Sequence, residues 1–106
     1  MLHTKLSDIE AREVVPGFRA KFVHSDHMTI AYWEADAGAE VPEHNHPHEQ
    51  VVNLMEGNLD LFVDGALLEL GPGSVVVLPP NVQHSAKAKT DCRIADVFFP
   101  VREDYR

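Results

Sequence analysis

An all-β domain, built as one antiparallel β-sandwich or small barrel, is the fold class this sequence predicts, on three observations. Gly, Pro, Asn and Asp punctuate the chain at frequent, even intervals. The stretches between them are short and rich in Val, Ile, Leu, Phe, Tyr and Trp, and several alternate apolar with polar residues. With 106 residues, 44% hydrophobic and 25% charged, the chain has material for one core and one domain, residues 1–106. About eight to ten short strands fit that length.

The elements follow in order. Ser7-Asp8-Ile9-Glu10 has the form of a capping box and predicts a short helical turn. Phe18 to His24 and His27 to Ala35 predict two strands joined by Ser25-Asp26 as a two-residue hairpin connection. Leu59, Leu61 and Val63 alternate with Asn58, Asp60 and Phe62 up to Asp64-Gly65, the strongest short hairpin signal in the chain, and Leu67 to Leu70 returns from it. Ser74 to Leu78 is apolar on both faces, which predicts a strand buried within the sandwich and stopped by Pro79-Pro80. Cys92 to Phe99 makes the last strand, closed by Pro100.

Charge and cysteine usage exclude several classes. Seventeen acids against 9 Lys and Arg leave a formal charge of −8, a field that repels phosphate backbones and anionic lipid surfaces, so neither nucleic acid nor a membrane is expected as partner. Cys92 is the only cysteine, which rules out an intramolecular disulfide and a Cys-rich zinc site and fits a reducing, cytoplasmic setting. It lies between Asp91 and Arg93 with no nucleophile motif around it and is expected to be a structural thiol. The N-terminal residues lack the apolar core of a signal peptide, and no apolar stretch approaches the ~20 residues of a membrane helix.

The seven histidines carry more information. His44 and His46 are separated by one residue, so on a strand both imidazoles leave the same face, where two neutral rings can bind a transition metal. Gln50 shares their parity, although Pro47 interrupts the strand, and His84 follows a strand able to return it to the same cavity. Three imidazoles and one neutral oxygen would hold a divalent metal and leave room for water or substrate. His48 and Glu49 are the rivals, and His48 could replace Gln50 if the backbone bulges at Pro47. His3, His24 and His27 read as ordinary surface or hydrogen-bonded histidines.

In the last strand, parity puts Ile94, Asp96 and Phe98 on one face and Ala95, Val97 and Phe99 on the other. An acid between Ile94 and Phe98 is either solvated on an outward face or a buried proton-transfer group. After Pro100, Arg102 is either a solvated tail residue or one that folds back over the cavity mouth to grip a carboxylate with two parallel hydrogen bonds.

The order Gly38, His44, His46, Gln50, Gly57 and then Gly73, Pro79, His84 resembles the two-part signature of the cupin superfamily, with motif 1 at residues 38–57 and motif 2 at 73–88. The sequence departs from it at Gln50 (usually Glu), Asn81 (usually Gly) and Ala88 (usually Asn). Asn81 is tolerable because a left-handed turn position accepts Asn better than other non-Gly residues. The resemblance implies a jelly-roll sandwich with His44, His46, Gln50 and His84 as ligands of one divalent metal; zinc, nickel and manganese would each serve. Gln in place of Glu removes one negative charge beside the metal, which favours an anionic substrate.

The segment Asp96-Val-Phe98-Phe-Pro100-Val-Arg102-Glu-Asp104-Tyr105, within residues 92–106, resembles the C-terminus of the KdgF-type cupins, pectin-degradation proteins that linearise unsaturated mono-uronates. That resemblance implies Asp96, Phe98 and Arg102 as catalytic residues and a small anionic sugar as partner. The same histidine set also supports a metal-dependent dioxygenase or a non-catalytic sugar-binding protein. The apolar outer faces of Val75 to Leu78 and of Val97 and Phe99 permit a homodimer.

Overall fold

The computed structural model describes all residues, 1–106. Ten strands account for most of it: β1 (Arg12–Val15), β2 (Phe18–His24), β3 (Thr29–Ala35), β4 (Glu40–His44), β5 (Glu49–Glu56), β6 (Leu59–Val63), β7 (Ala66–Leu70), β8 (Val75–Leu78), β9 (His84–Ala88) and β10 (Cys92–Phe99). They form a six-stranded sheet in the order β1-β2-β3-β10-β5-β8 and a four-stranded sheet in the order β4-β9-β6-β7. Every paired neighbour runs antiparallel. No helix is long and apolar enough to cross a membrane.

Each sheet buries alternate residues against the other, because successive strand side chains point to opposite faces. Val52 and Leu54 from β5, Leu59 and Leu61 from β6, Ile94 from β10, Phe18 and Leu78 make the core between the sheets. The hairpin at Asp64-Gly65 forms as expected, with φ of 49° and 79°, the two left-handed residues that match the twist of the flanking strands. Gly57, at the crossing from β5 to β6, has φ 91°, and a Cβ there would collide with the Asp91 carbonyl oxygen, so both backbone and space demand glycine.

Three expectations need correction. The β2–β3 connection runs from Ser25 to Met28, closed by the Ser25 N–H donating to the Met28 carbonyl at 2.9 Å, so β3 begins at Thr29 and not His27. The N-terminal helical turn spans Leu6–Asp8, with Ser7 inside it and no side-chain cap, so the capping box does not form. β8 is an edge strand, with Val75 and Val77 60% and 62% exposed and Leu78 alone fully buried. Its run of valines reflects β-propensity and packing on one side, not burial on both.

Candidate metal centre

A cavity of about 300 Å³ is lined by residues of both sheets. Its lining includes every site residue the sequence singles out: His44, His46, Gln50, His84, Asp96, Phe98 and Arg102. They come from both layers, with His44 on β4 and His84 on β9 in the smaller sheet and Gln50, Asp96 and Phe98 on β5 and β10 in the larger.

The route by which His44 and His46 reach the cavity differs from the sequence reading. They do not share a strand face, because β4 ends at His44 and His46 lies in the connection before β5. Val41 pairs with Ala86 and His44 with His84, three residues on β4 against two on β9. This bulge turns His44 inward although it is an odd number of positions from the cavity-lining Val41. His46 is held from the other motif, since Asn81, in the left-handed conformation at φ 67°, donates its backbone N–H to the His46 carbonyl at 2.8 Å. Asn at position 81 thus does the conformational work expected of it.

Ligand atoms of His44, His46 and His84 all lie within 4.8 Å of one another. His46 and His84 are buried and His44 is half-buried. The His44 Nδ1–H donates to the Pro42 carbonyl at 2.8 Å and the His84 Nδ1–H to the Val82 carbonyl at 2.9 Å, which fixes both tautomers and leaves each Nε2 with a free lone pair. His84 Nε2 is buried with no hydrogen-bond partner, an unpaired acceptor aimed into the cluster. His46 Nε2 is 3.0 Å from Gln50 Oε1, a separation that two ligands about 2.1 Å from one cation reach when they subtend roughly a right angle. Burial, reinforced by the charge of Arg102, lowers the His46 pKa to about 4, so its ring is neutral at physiological pH. Burial also lowers that of His84. Neutral, pre-oriented imidazoles with orphaned nitrogens fit a divalent transition metal.

Gln50 joins this cluster to Asp96. Its position on β5 faces Phe98 on β10, so Asp96 is its diagonal neighbour, and the Gln50 amide donates from Nε2 to Asp96 Oδ2 at 3.0 Å. A carboxylate accepts that bond, so the amide oxygen is turned the other way, toward His46. A Glu at this position would set two carboxylates about 3 Å apart, which gives the departure from the family pattern a physical reason.

Asp96 is buried, at 7% exposure, and does not lie on a solvated face. Burial pushes its pKa up to about 7, against the opposing effects of the neighbouring Trp33, Gln50 and Arg102. Neither Trp33 Nε1 nor Asp96 Oδ1 has a hydrogen-bond partner, so the indole N–H is near the carboxyl without closing a bond to it. Arg102 is equally enclosed, at 7% exposure, with its guanidinium 4.8 Å from the Phe98 ring centroid and 4.2 Å from that of Tyr105. The tail is pinned by the Arg102 backbone N–H donating to Thr29 Oγ1 at 2.9 Å and by Arg12 Nη2 donating to the Tyr105 carbonyl at 2.9 Å.

His48 is outside the three-histidine cluster and the cavity lining. Its ring centroid lies 5.4 Å from that of His46 and 6.4 Å from that of Phe98, and burial, followed by the charge of Arg102, lowers its pKa. Trp33, Tyr105 and Thr29 are site residues that the sequence reading does not single out. Trp33 was discoverable, because it shares parity with the buried Thr29, Ala31 and Ala35 on β3. Tyr105 sits in a short 3-10 turn, Glu103–Tyr105, beyond any strand; it falls in the tail segment, but no periodicity marks its contact with Arg102.

Comparison with known proteins agrees with this geometry. The chain is similar to the structure of KdgF from Halomonas sp., at 27% identity and a TM-score of 0.88 over 94% of each chain. It is similar to an RmlC-like cupin from Shewanella frigidimarina NCIMB 400, at 29% identity and a TM-score of 0.92 over 97% of this chain and 94% of that one. A curated relative, the H2HPP isomerase of Bacillus subtilis, is 26% identical over 100 residues, 92% of this chain but only 42% of the relative, so the chain spans about two fifths of that protein's length. The family model described as "Cupin domain" matches residues 31–98, more than half of the sequence, and the chain belongs to the cupin domain family.

Proposed function

We propose that residues 1–106 act as one cupin domain that catalyses a metal-dependent isomerisation, opening and ketonising 4,5-unsaturated mono-uronates, as from pectin or alginate breakdown, to linear 4-deoxy-5-keto-uronates. The observation that carries this reading is one cavity lined by a buried carboxyl with a pKa of about 7, Asp96, by a three-histidine cluster and by a buried arginine. The likeness to KdgF and to an isomerase of the same family supports the reaction class. A volume of about 300 Å³ is at the small end of ligand pockets, which suits a monosaccharide.

A divalent ion such as zinc, nickel or manganese, held by His44, His46, His84 and Gln50, supplies Lewis acidity toward substrate oxygens when bound. Arg102 receives the substrate carboxylate and offsets its charge. Phe98 and Trp33 pack on the ring and exclude water. Asp96 takes the proton of the anomeric hydroxyl as the bond between C1 and the ring oxygen breaks, with the electron pair going to that oxygen; the products of this step are an aldehyde at C1 and an enolate at C5. The same carboxyl then returns its proton to C4 as the C5 carbonyl forms. One proton moves from oxygen to carbon, and no electron is gained or lost. A carboxyl near neutrality suits both halves, since it is a competent base when ionised and a competent acid when protonated.

The test is the ultraviolet absorbance of the enol ether in unsaturated galacturonate and its alginate counterpart. Zinc-, nickel- or manganese-loaded protein is expected to accelerate its loss above the spontaneous rate, equally with and without oxygen. Asp96→Asn is expected to lose that acceleration and Arg102→Ala to raise KM. An unchanged spontaneous rate on both sugars refutes the reading, and strict dependence on oxygen points to a dioxygenase instead. A homodimer through the outer face of the larger sheet, where Val75, Val77 and Phe99 are exposed, is compatible with this site.

A further inference from the structure

The geometry points to Asp104 as a positioning residue that turns one edge of the Arg102 guanidinium toward the cavity to receive a carboxylate end-on. The inference deepens the proposed function and rests on its assignment of Arg102 as the carboxylate site.

Arg102 offers donors along two edges, one formed by Nε and Nη2 and the other by Nη1 and Nη2. Asp104 fills the first. Nε donates to Oδ1 at 3.0 Å and Nη2 to Oδ2 at 2.7 Å, a bidentate side-on pair. The aspartate reaches it from outside, since its side chain is 55% exposed and it is absent from the cavity lining, whereas Arg102 belongs to that lining. Nη1 makes no hydrogen bond within the chain. Phe98 and Tyr105 flank the guanidinium with ring centroids 4.8 and 4.2 Å away, so aromatic contact restrains the group that Asp104 holds along one edge.

The pairing has two consequences. A planar group held in this way presents its remaining edge without losing rotamer freedom on binding, and that edge matches a carboxylate in two parallel hydrogen bonds. The substrate need not displace Asp104, because the two carboxylates use different edges. Asp104 is also well placed to stay ionised, since hydrogen bonds from Arg102 hold its carboxyl below the usual range.

The test uses metal-loaded protein and two saturated ligands that lack the reactive double bond, galacturonate and its methyl ester, titrated calorimetrically into wild type, Asp104→Ala, Asp104→Asn and Asp104→Glu. Asp104→Ala is expected to weaken galacturonate at least tenfold and the neutral ester less than twofold. Asp104→Asn, which can accept only one of the two bonds, is expected to fall between alanine and wild type. Asp104→Glu is expected to restore galacturonate binding to within threefold of wild type. Detachment of the tail would weaken acid and ester alike, and that result overturns the proposal. So does tighter galacturonate binding in Asp104→Ala, which would make Asp104 a competitor for Arg102. If wild type binds neither sugar, the same variants are titrated with short 2-oxo monocarboxylates. Binding there with the same dependence on Asp104 keeps the positioning role and discards the uronate reading, while no binding overturns both.

Discussion

Replacing Asp96 by Asn should make the metal-free protein more stable, and increasingly so as pH rises. Folding carries the Asp96 carboxyl from a pKa of 3.8 to about 7, chiefly through burial. Between those values the native state binds a proton that the unfolded chain has released, so this group subtracts stability as pH climbs through the window and subtracts its full amount above it. A shift of about three units at ~1.36 kcal/mol each gives roughly 4 kcal/mol at pH 8, a large part of the 5–15 kcal/mol typical of a domain. Asn keeps the shape and can accept the same hydrogen bond from Gln50 but cannot ionise. The assay is urea unfolding of both chelator-treated proteins from pH 4 to pH 8. The stability difference should grow by roughly 4 kcal/mol across that range, a relative midpoint shift of about 1–4 M at ordinary m-values. A difference that is flat with pH, or one in which wild type gains on the variant as pH rises, would refute the reasoning.

Further outcomes follow from other parts of the molecule. Leu54 is completely buried between the sheets, so Leu54→Ala should lose about 2–5 kcal/mol in chemical denaturation, with the spread set by how far the core collapses. His84→Ala removes a donor from the histidine cluster and should weaken zinc binding, measured against a competing chelator, by more than the roughly 10–100-fold that loss of a supporting contact costs. His46 has its folded pKa depressed to about 4 from 6.5, so its contribution to metal-free stability is present above 6.5 and lost as pH falls through the folded value; His46→Gln should flatten that acid-side loss in the same unfolding assay.

The legible parts of this fold are those where one residue type has one structural use. Asp64-Gly65 fixes its hairpin because both positions need positive φ, and the alternation of Ile94, Asp96 and Phe98 puts those three on one face of β10, leaving to the packing only whether that face is inward. β8 misleads because Val75 and Val77 have the composition of a buried strand, while an edge position depends on which strands pair, a non-local property. His44 and His46 were recognisable as a pair, yet the parity argument for them fails, because the bulge in β4 and the loop held by Asn81 are tertiary features. Gln50 illustrates the division well. Its place in the motif can be read directly, but the reason for an amide there is visible only when β5 and β10 lie side by side and Asp96 accepts its hydrogen bond. Asp104 and Tyr105 were within reach as tail residues, but what they do depends on how the tail folds back onto Arg102.

The most direct measurement of the central claim is a proton NMR time course of unsaturated galacturonate in deuterated water with metal-loaded protein. Wild type is expected to remove the vinylic proton signal of the cyclic sugar faster than buffer alone, to yield the linear 5-keto product and to place solvent deuterium at C4, while Asp96→Asn, folded and metal-loaded, remains at the buffer rate. Equal rates for wild type and buffer, or an Asp96→Asn variant as fast as wild type, would contradict an isomerase that moves its proton through Asp96.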